Sequence, residues 1–417
     1  MRIMVVTDQY APMVGGVPSV TRALALGLAR RGHRVALLAP SPGWRGSMAA
    51  EQSPPDAEQG PADAEQGPPD AEQGPADAGE GVSVLRCGSL PWPWYQGMRL
   101  AVVPGAAARR LITAFAPDVI HIHSPVTLGV AALAAARRLG IPVVYTNHYL
   151  PANARPSLRR RSRVFDALFY FYIVGFSNRC SHVTAPTATA VQLLRGRGLR
   201  VPSRAISNGV DLRMYAPGPA DERLRDRYGL PHGRPLILSV GRLSPEKRVD
   251  VLLESVARLT RDVHLAIAGT GPDEAALRAR AGRLGLTGQV SFLGFVPEPD
   301  LPGLYRLADV FAIASEAELQ SLTTMQAMAA GLPVVAADRY ALAELVRHGR
   351  NGFLAPPGRS EEFAACLDIL VSDPGLRAAT AAESLRIIGG HEARHRLAEW
   401  ESLYGLLTAA GPGDVSR

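Results

Sequence analysis

The stretch PLILSVGRLSPEKRVDVLLES, Pro235–Ser255, decides the fold. PLILSV is a short apolar run of strand length, ended by Gly241, and the residues from about Arg248 onward read as a helix. Strand, loop and helix in that order is the unit of a parallel sheet, because parallel neighbours need a crossover and a helix is the usual one. The loop between the two is cationic. Lys247 is the only lysine in the chain, beside 44 arginines, so a single ammonium is kept where guanidinium serves everywhere else. Arg242 and Lys247 both follow the carboxyl end of the strand, and the N-terminal amides of the next helix face the same space. Two cations and a helix N-terminus together make a phosphate site. Arginine supplies a planar fork, whereas lysine supplies a compact charge on a flexible stem.

The same unit recurs on both sides. Downstream, HLAIAG, QVSFLG, DVFAIA and LPVVAA are strands, each followed by a helix or a turn and a helix. Upstream, Arg2–Val6 is a strand, TDQYAPMVGG a loop, and Val17, Val20, Leu24 and Leu28 recur at helical spacing with Pro18 in the first turn. Arg34–Ala39, Asp118–His123 and Pro142–Thr146 are further strands, the last two separated by an alanine-rich helix. Two such series imply an α/β chain of two Rossmann-like domains, residues 1–210 and 211–390, joined near Asn208–Pro219. A terminal helix within 391–417 presents Leu397, Trp400, Leu403 and Tyr404 on one face and is expected to pack back on the first domain. A ligand would lie in the crevice at the carboxyl ends of the strands.

Composition narrows the class. The chain of 417 residues is 47% hydrophobic and contains no apolar run long enough to span a bilayer, which takes about 20 residues. The N-terminus reads as a core strand rather than a signal peptide, and Cys87, Cys180 and Cys366 are too scattered for a disulfide frame or a zinc site, so a cytoplasmic protein is expected. Residues 54–81 repeat a seven-residue unit of the PPDAEQG type four times. With prolines in every unit and no apolar seam, segment 48–81 is expected to be a disordered acidic insertion between two strands. Its acids mask the basicity of the remainder: Arg99–Arg204 holds fifteen arginines against Asp118 and Asp166. Such a field favours phosphate-bearing ligands, nucleic acid or an anionic membrane surface.

The second decisive element is SEAELQSLTTMQAMAAGLPVV, Ser315–Val335, in which Glu318 precedes a helix beginning near Ser321. Taken with the first, it carries a resemblance. Gly15-Gly16-Val17 after the first strand, SNGVDLRMYAPG at the junction, GRLSPEKRVDVLLES, AGTGPDEAAL, FLGFVPEPDL and AELQSLTTMQAMAAGLPVVA resemble, in order, the family 4 (group 1) glycosyltransferases. These are retaining nucleotide-sugar enzymes of the GT-B architecture, two Rossmann-like domains facing across a deep cleft. The resemblance covers nearly the whole chain apart from the acidic insertion. It implies that Arg242 and Lys247 bind the donor diphosphate and stabilise the leaving nucleotide, so that no metal and no cofactor is required. It implies that Gly15 and Gly16 let the backbone approach that diphosphate, that Glu318 holds donor-sugar hydroxyls, and that His148 lies near the transferred sugar. Glu318, His148, Arg242 and Lys247 form the expected catalytic set, and Phe295, Gln320, Ser321, Leu322 and Gln326 complete the donor site. Gln326 is a departure, since the family's pattern has a second glutamate there that accepts from both ribose hydroxyls. An amide loses the charge-assisted part of that contact, and donor affinity should fall.

The acceptor side is read from RRRSRVFDALFYFYIVGF, Arg159–Phe176. Arg159, Arg160, Arg161 and Arg163 beside an aromatic run fit an interfacial helix on anionic lipid. They fit a buried helix with a basic entrance equally well. The expected acceptor is therefore a lipid or a small molecule, and the enzyme would be cytoplasmic or peripheral on the inner face of the membrane. Nothing resembles a nucleic-acid module. His121 and His123 alternate on one strand face, so one or both line the cleft, with packing favoured for His121. HEARH, His391–His395, has the zinc-peptidase spacing but no later histidine to complete the site, and reads as the start of the terminal helix. The rival to an enzyme is a nucleotide-sugar-binding scaffold of the same fold, motivated by Gln326.

Overall fold

A computed structural model of the chain describes residues 1–13, 15–42, 81–92, 99–102, 105–154 and 162–409. Two all-parallel sheets form its framework. The first holds β1 (Arg2–Val6), β2 (Arg34–Pro40), β3 (Val82–Cys87), β4 (Val119–Ile122), β5 (Val143–Thr146), β6 (His182–Ala185) and β7 (Ser203–Ala205) in the order β3-β2-β1-β4-β5-β6-β7. The second holds β8 (Leu236–Val240), β9 (His264–Ala268), β10 (Val290–Gly294), β11 (Val310–Ile313), β12 (Val334–Ala337) and β13 (Gly352–Ala355) in the order β10-β9-β8-β11-β12-β13. Both are doubly wound, and the strand order reverses between β1 and β4 and again between β8 and β11. Adjacent loops leave in opposite directions at such a reversal and open a crevice.

Burial on both faces explains the near-continuous apolar strands. β1, β4, β5, β9, β11 and β12 are buried at every position except that Arg2 is half-buried. Around the first sheet, Met4, Ile120, Ile122 and Tyr145 pack on one face, and Ile3, Val5, Leu37 and Val144 on the other. The second sheet divides likewise between Leu238, Phe311 and Met325 on one side and Ile237, Leu265 and Val335 on the other. The strands β3 (VSVLRC), β6 (HVTA), β7 (SRA) and β13 (GFLA) escape the sequence reading: the first three carry polar residues within six or fewer, and β13 has four residues beginning with glycine. β3 pairs parallel with β2, and the chain between them includes the acidic repeats, of which residues 48–80 lie outside the described residues.

The helices that matter for the site are α1 (Gly16–Arg30), α2 (Thr127–Leu139), α3 (Arg163–Ser177), α4 (Val249–Val256), α5 (Leu322–Ala329) and α6 (Ala393–Ala409). Trp400, Leu403 and Tyr404 of α6 are buried in the core beneath the first sheet, together with Leu24, Leu28 and Ile206. The chain therefore crosses between the sheets twice, once outward near Ile206–Tyr215 and once back near Gly389–Ala393. The crossings touch: Val210 N donates to His391 O and Ala393 N donates to Val210 O, both at 3.0 Å. Gly209 makes that contact possible. Its φ is +77°, and a Cβ there would stand 2.7 Å from Ala393 Cα. An apolar cluster beside the crossings, Leu150, Ala185 and Val191 with Ala317 and Leu319, joins the two halves.

Gly209→Ala should therefore strain two backbones at once, at a cost of about 2 kcal/mol or more. The expected outcome is a melting temperature lower by at least about 2 °C in thermal unfolding. An unchanged value would mean that the crossings are not packed as described.

Candidate active site

All residues assigned from the sequence to donor binding or catalysis line one cleft of about 1470 Å³ between the two sheets. Its floor on the second sheet is made by loops after β8, β9 and β11, which are knitted together. Gly241 N donates to Ala268 O, Leu243 N to Thr270 O, and Gly269 N to Gly294 O, at 2.7–2.9 Å. The approach is closest at the glycines: a Cβ on Gly269 would meet Gly241 O at 1.9 Å, and one on Gly271 would meet Leu243 O at 2.2 Å. The Gly269-Thr270-Gly271 turn thus holds the Arg242 loop in place through backbone contact that no side chain permits.

On this floor Lys247 and Glu318 meet. Lys247 ends a 3-10 turn, Pro245–Lys247, and its Nζ lies 2.5 Å from Glu318 Oε1. The lysine side chain is about a quarter exposed and the glutamate a tenth. Glu318 takes one of the three ammonium donors. Arg248, in the left-handed region at φ +50°, pairs with Glu316 at 2.5 Å, and Glu316 N donates to Glu246 O at 2.9 Å. These contacts tie the loop after β8 to the loop after β11. Arg242 lines the same space.

α5 begins at the floor's edge. Ser321 caps it, accepting from Thr324 N at 3.2 Å, which leaves the first-turn amides of Leu322 and Thr323 without an intrahelical acceptor, and both residues line the cleft. Opposite stands the N-terminus of α1. Gly16 faces Leu322 closely enough that a Cβ would touch Leu322 Cδ1 at 3.9 Å. Two helix N-termini and two cations converge, which makes the middle of the cleft an anion site.

Two donor-site assignments take a different form in the structure. Gln320 lines the cleft, yet its amide reaches back to the crossing: Oε1 accepts from Asn208 N at 2.8 Å and Nε2 donates to Ser207 Oγ at 3.0 Å. Ser207 Oγ also lies 2.9 Å from His391 Nδ1, so this network joins both crossings. His391 is thus a junction residue, and among the described residues no group of three or more His, Cys, Asp or Glu is placed to hold a metal ion. Gln326 is likewise engaged, accepting from Tyr305 Oη and donating to Tyr215 Oη, each at 3.0 Å. Phe295 lines the cleft at 58% exposure.

The wall on the first sheet carries His148, whose Nε2 lies 2.9 Å from His123 Nδ1. Neither His121 nor His123 lines the cleft; both are buried beneath His148. His121 is held between Tyr404 Oη at 2.7 Å and Thr146 Oγ1 at 2.6 Å. Burial, then the neighbouring imidazoles, pushes His121 and His123 well below the ordinary range, and burial pushes His148 down to about 4. All three rings are neutral near pH 7. His123 Nε2 is buried without a partner. Orphaned buried N–H groups are rarer than orphaned lone pairs, so the proton sits on His123 Nδ1 and is donated to His148 Nε2. His148 then carries its own proton on Nδ1 and acts as a hydrogen-bond donor.

The sequence reading missed Asp8. It accepts from Leu128 N and Thr127 Oγ1 at 3.0 Å and from Gly129 N, holding the start of α2 at the first sheet's switch point. Burial outweighs these donors and raises its carboxyl to about 6. A lone acid inside TDQY gave no signal of this, because its partners lie about 120 residues away.

Comparison with known proteins follows the same division of the chain. The sequence profile described as Glycosyltransferase Family 4 matches residues 14–213, and that described as Glycosyl transferases group 1 matches residues 220–387. A GDP-mannose-dependent alpha-mannosyltransferase of Mycobacterium tuberculosis is 30% identical over 374 residues, covering 87% of this chain and 85% of its own. An alpha-monoglucosyldiacylglycerol synthase of Streptococcus pneumoniae is 26% identical over 407 residues, covering 96% and 85%. Among solved structures, Anabaena HepE in complex with UDP superposes with a TM-score of 0.73 at 22% identity, covering 98% of this chain and all of that one.

The buried imidazoles make stability depend on pH. Their folded pKa lies below the unfolded value, so below about pH 6.5 the unfolded chain binds protons that the native state refuses, and stability falls as pH falls. Each group contributes up to roughly 1.4 kcal/mol per pH unit, and for His148 the loss ends near its folded pKa of about 4. Asp8 acts oppositely below its raised value of about 6 and offsets one histidine. The melting temperature should drop steadily from pH 7 to pH 5; a flat or rising profile would show that these rings are charged in the native state.

Proposed function

The chain belongs to glycosyltransferase family 4, the group 1 glycosyl transferases, and from that membership we propose that it transfers a sugar from a nucleotide-diphosphate donor to an acceptor hydroxyl with retention at the anomeric carbon and without a metal ion. It is a glycosyltransferase of the two-domain GT-B fold. The observation that carries the finer reading is the meeting of Lys247, Arg242, Glu318 and the α5 N-terminus in one cleft. A GDP-mannose-dependent relative and a UDP-bound fold neighbour support a nucleotide diphosphate as the ligand.

The residues divide the work. Arg242, Lys247 and the amides of Leu322 and Thr323 take the diphosphate and offset the charge that builds on it as the bond to the sugar breaks. They occupy the role that a divalent cation plays in other transferases. Glu318, beside Lys247, accepts from donor-sugar hydroxyls, and His148 donates from the opposite wall. The acceptor oxygen bonds to the anomeric carbon on the face the diphosphate leaves, and its proton passes to a departing phosphate oxygen. No protein base is assigned.

The acceptor reading rests on α3. Phe165, Phe169 and Tyr172 line the cleft, while Val164, Leu168 and Phe171 on another face are exposed at 64–81%. Ser162 caps the helix, accepting from Phe165 N at 3.2 Å. No described helix is long and apolar enough to cross a membrane, so three large apolar side chains at one-turn spacing beside Arg163 support attachment to an anionic membrane surface, on its cytoplasmic side. Arg159, Arg160 and Arg161 lie outside the described residues. A lipid acceptor fits this surface, and a small-molecule acceptor is the alternative.

Lys247→Ala should reduce kcat at saturating donor by two to three orders of magnitude, roughly 3 kcal/mol or more, with the fold retained. Because Lys247 and Glu318 are paired, the Lys247→Ala, Glu318→Gln double variant should lose less than the two single losses combined. Wild-type turnover in Lys247→Ala would remove the ammonium from the mechanism.

The wild-type protein should float with anionic liposomes at low ionic strength and be released as salt rises. Binding that survives Arg→Ala at Arg159, Arg160, Arg161 and Arg163 together, or no binding at all, would favour the small-molecule acceptor.

A further inference from the structure

The segment after β12, residues 338–345, meets three parts of the molecule at once. Ala341 N donates to Glu318 O at 3.3 Å, so this backbone supports the residue that pairs with Lys247. Tyr340 packs against the apolar cluster of Leu150, Val191 and Leu319 that joins the two halves. Glu344, though exposed, reaches the first half as well: its Oε1 accepts from Thr189 N at 2.8 Å. Thr189 is the second residue of the helix Ala188–Arg195, which follows β6. Thr187 caps that helix, accepting from Ala190 N at 3.3 Å and donating to Leu319 O at 3.0 Å. Of two adjacent amides at the helix end, one is thus met by the helix's own threonine. The other is met by a carboxylate from the opposite half, at a place where the macrodipole favours negative charge.

The backbone is strained at the same place. Tyr340 lies at φ +46°, in the left-handed region that a large side chain rarely occupies. Among the described residues only Ala116, Arg248 and Tyr340 do so without being glycine. Arg248 holds the Glu318 loop from one side through Glu316, and Tyr340 meets that loop at the apolar cluster. Such a conformation persists only where the surroundings over-determine it. Here Leu342 and Leu345 are fixed in the core of the second half, while the Tyr340 ring is held by the cluster and by the Arg339 guanidinium, 4.6 Å from its centre. Neither Tyr340 nor Glu344 lines the cleft. Resting on the transfer reading above, we propose that residues 338–345 form a clasp that places Glu318 according to how the two halves are seated, with Glu344 and Tyr340 as positioning residues for sugar transfer. They act through Ala341 N on the carbonyl of Glu318. Gln320 ties the same loop to the crossings, and the clasp ties it to the helix after β6. The carboxylate that holds the donor sugar is then in place only when the halves meet, which is when water is excluded from the cleft.

The test compares wild type with Glu344→Ala, Glu344→Gln and Tyr340→Gly by hydrogen–deuterium exchange, by hydrolysis of UDP-glucose and GDP-mannose, and by calorimetry with UDP and GDP. Glu344→Ala should speed exchange several-fold at residues 188–191 and, across the clasp, at residues 315–320. Its kcat should fall about tenfold through misplacement of Glu318. UDP and GDP should bind within about twofold of wild type, because neither carries the sugar that Glu318 holds. Glu344→Gln keeps an oxygen that accepts from Thr189 N and should recover most of the exchange protection and most of kcat. Tyr340→Gly removes the ring but relieves the backbone. A merely structural role predicts no loss of turnover from it, whereas the clasp predicts faster exchange at 315–320 and a lower kcat. Faster exchange in Glu344→Ala confined to 188–191, with kcat unchanged, would make the segment an ordinary contact and overturn the proposal. So would no recovery in Glu344→Gln, or a loss of UDP and GDP affinity as large as the loss of kcat. If wild type hydrolyses neither donor and binds neither nucleotide, the transfer reading fails, and the exchange at 315–320 still decides whether the clasp exists.

Discussion

The ion pair between Lys247 and Glu318 is the contact on which the cleft depends. Its partners are 71 residues apart in sequence and stand on loops that leave adjacent strands at the point where the strand order reverses. Nothing in the sheet itself holds those loops together beyond their strands. The pair does, with Arg248–Glu316 and the Glu316–Glu246 backbone bond beside it. Partly buried charges of opposite sign are far less costly together than apart. A cation and a carboxylate side by side also match the ligand proposed for them, in which an anionic diphosphate and a hydroxylated sugar are covalent neighbours. The arrangement that joins the two loops is thus the one that would be divided between the two halves of a donor.

Behind that pair lies a set of close backbone contacts that only glycine permits. Gly269 and Gly271 press one loop against the carbonyls of another, and Gly209 presses the outgoing crossing against the returning one. Gln320 couples the two levels, since it follows Glu318 by two residues and hydrogen-bonds Ser207 and Asn208 at the crossing. Any rotation of one sheet's domain against the other works against this amide. The position of Glu318 and the angle of the domains are therefore linked through two residues of chain and two hydrogen bonds, and in the proposed reaction this is the route by which ligand at the floor and closure of the cleft would act on each other.

Much of this was legible in the sequence, and the reason is local. Strand, cationic loop and helix follow one another within Pro235–Ser255, so the cationic loop at the cleft floor could be read from one stretch; Glu318 and the start of α5 are likewise contiguous. What was illegible is what depends on partners far away. That Lys247 and Glu318 touch, that Gln320 serves the crossing, and that His123 lies under His148 rather than in the cleft are all facts of tertiary pairing. Gln326 shows the limit well. Its departure from a carboxylate was visible, but its consequence was not, because the direction of the amide is set by a buried tyrosine 21 residues before it and a second one 111 residues before it. The strands β3, β6 and β7 mix polar residues into their runs and β13 opens on glycine, so none stands out as the continuous apolar segments containing β5, β11 and β12 do.

The two walls of the cleft differ in kind, and that difference bears on where protons go in the proposed reaction. The floor on the second sheet is charged and its ions are paired. The wall on the first sheet presents an imidazole that burial keeps neutral, with His123 occupying its Nε2. Such a ring can donate from Nδ1 without changing charge, but it is a poor proton acceptor, because the imidazolium would be formed in the dry stack of His121 and His123. The acceptor hydroxyl must nevertheless lose a proton as it bonds to the sugar. In the proposed reaction the acceptor's proton goes to an oxygen of the departing phosphate, and a histidine that resists protonation does not compete for it. The neutral wall is thus in keeping with the proposal that the proton passes to the departing phosphate oxygen, on the face from which the diphosphate leaves.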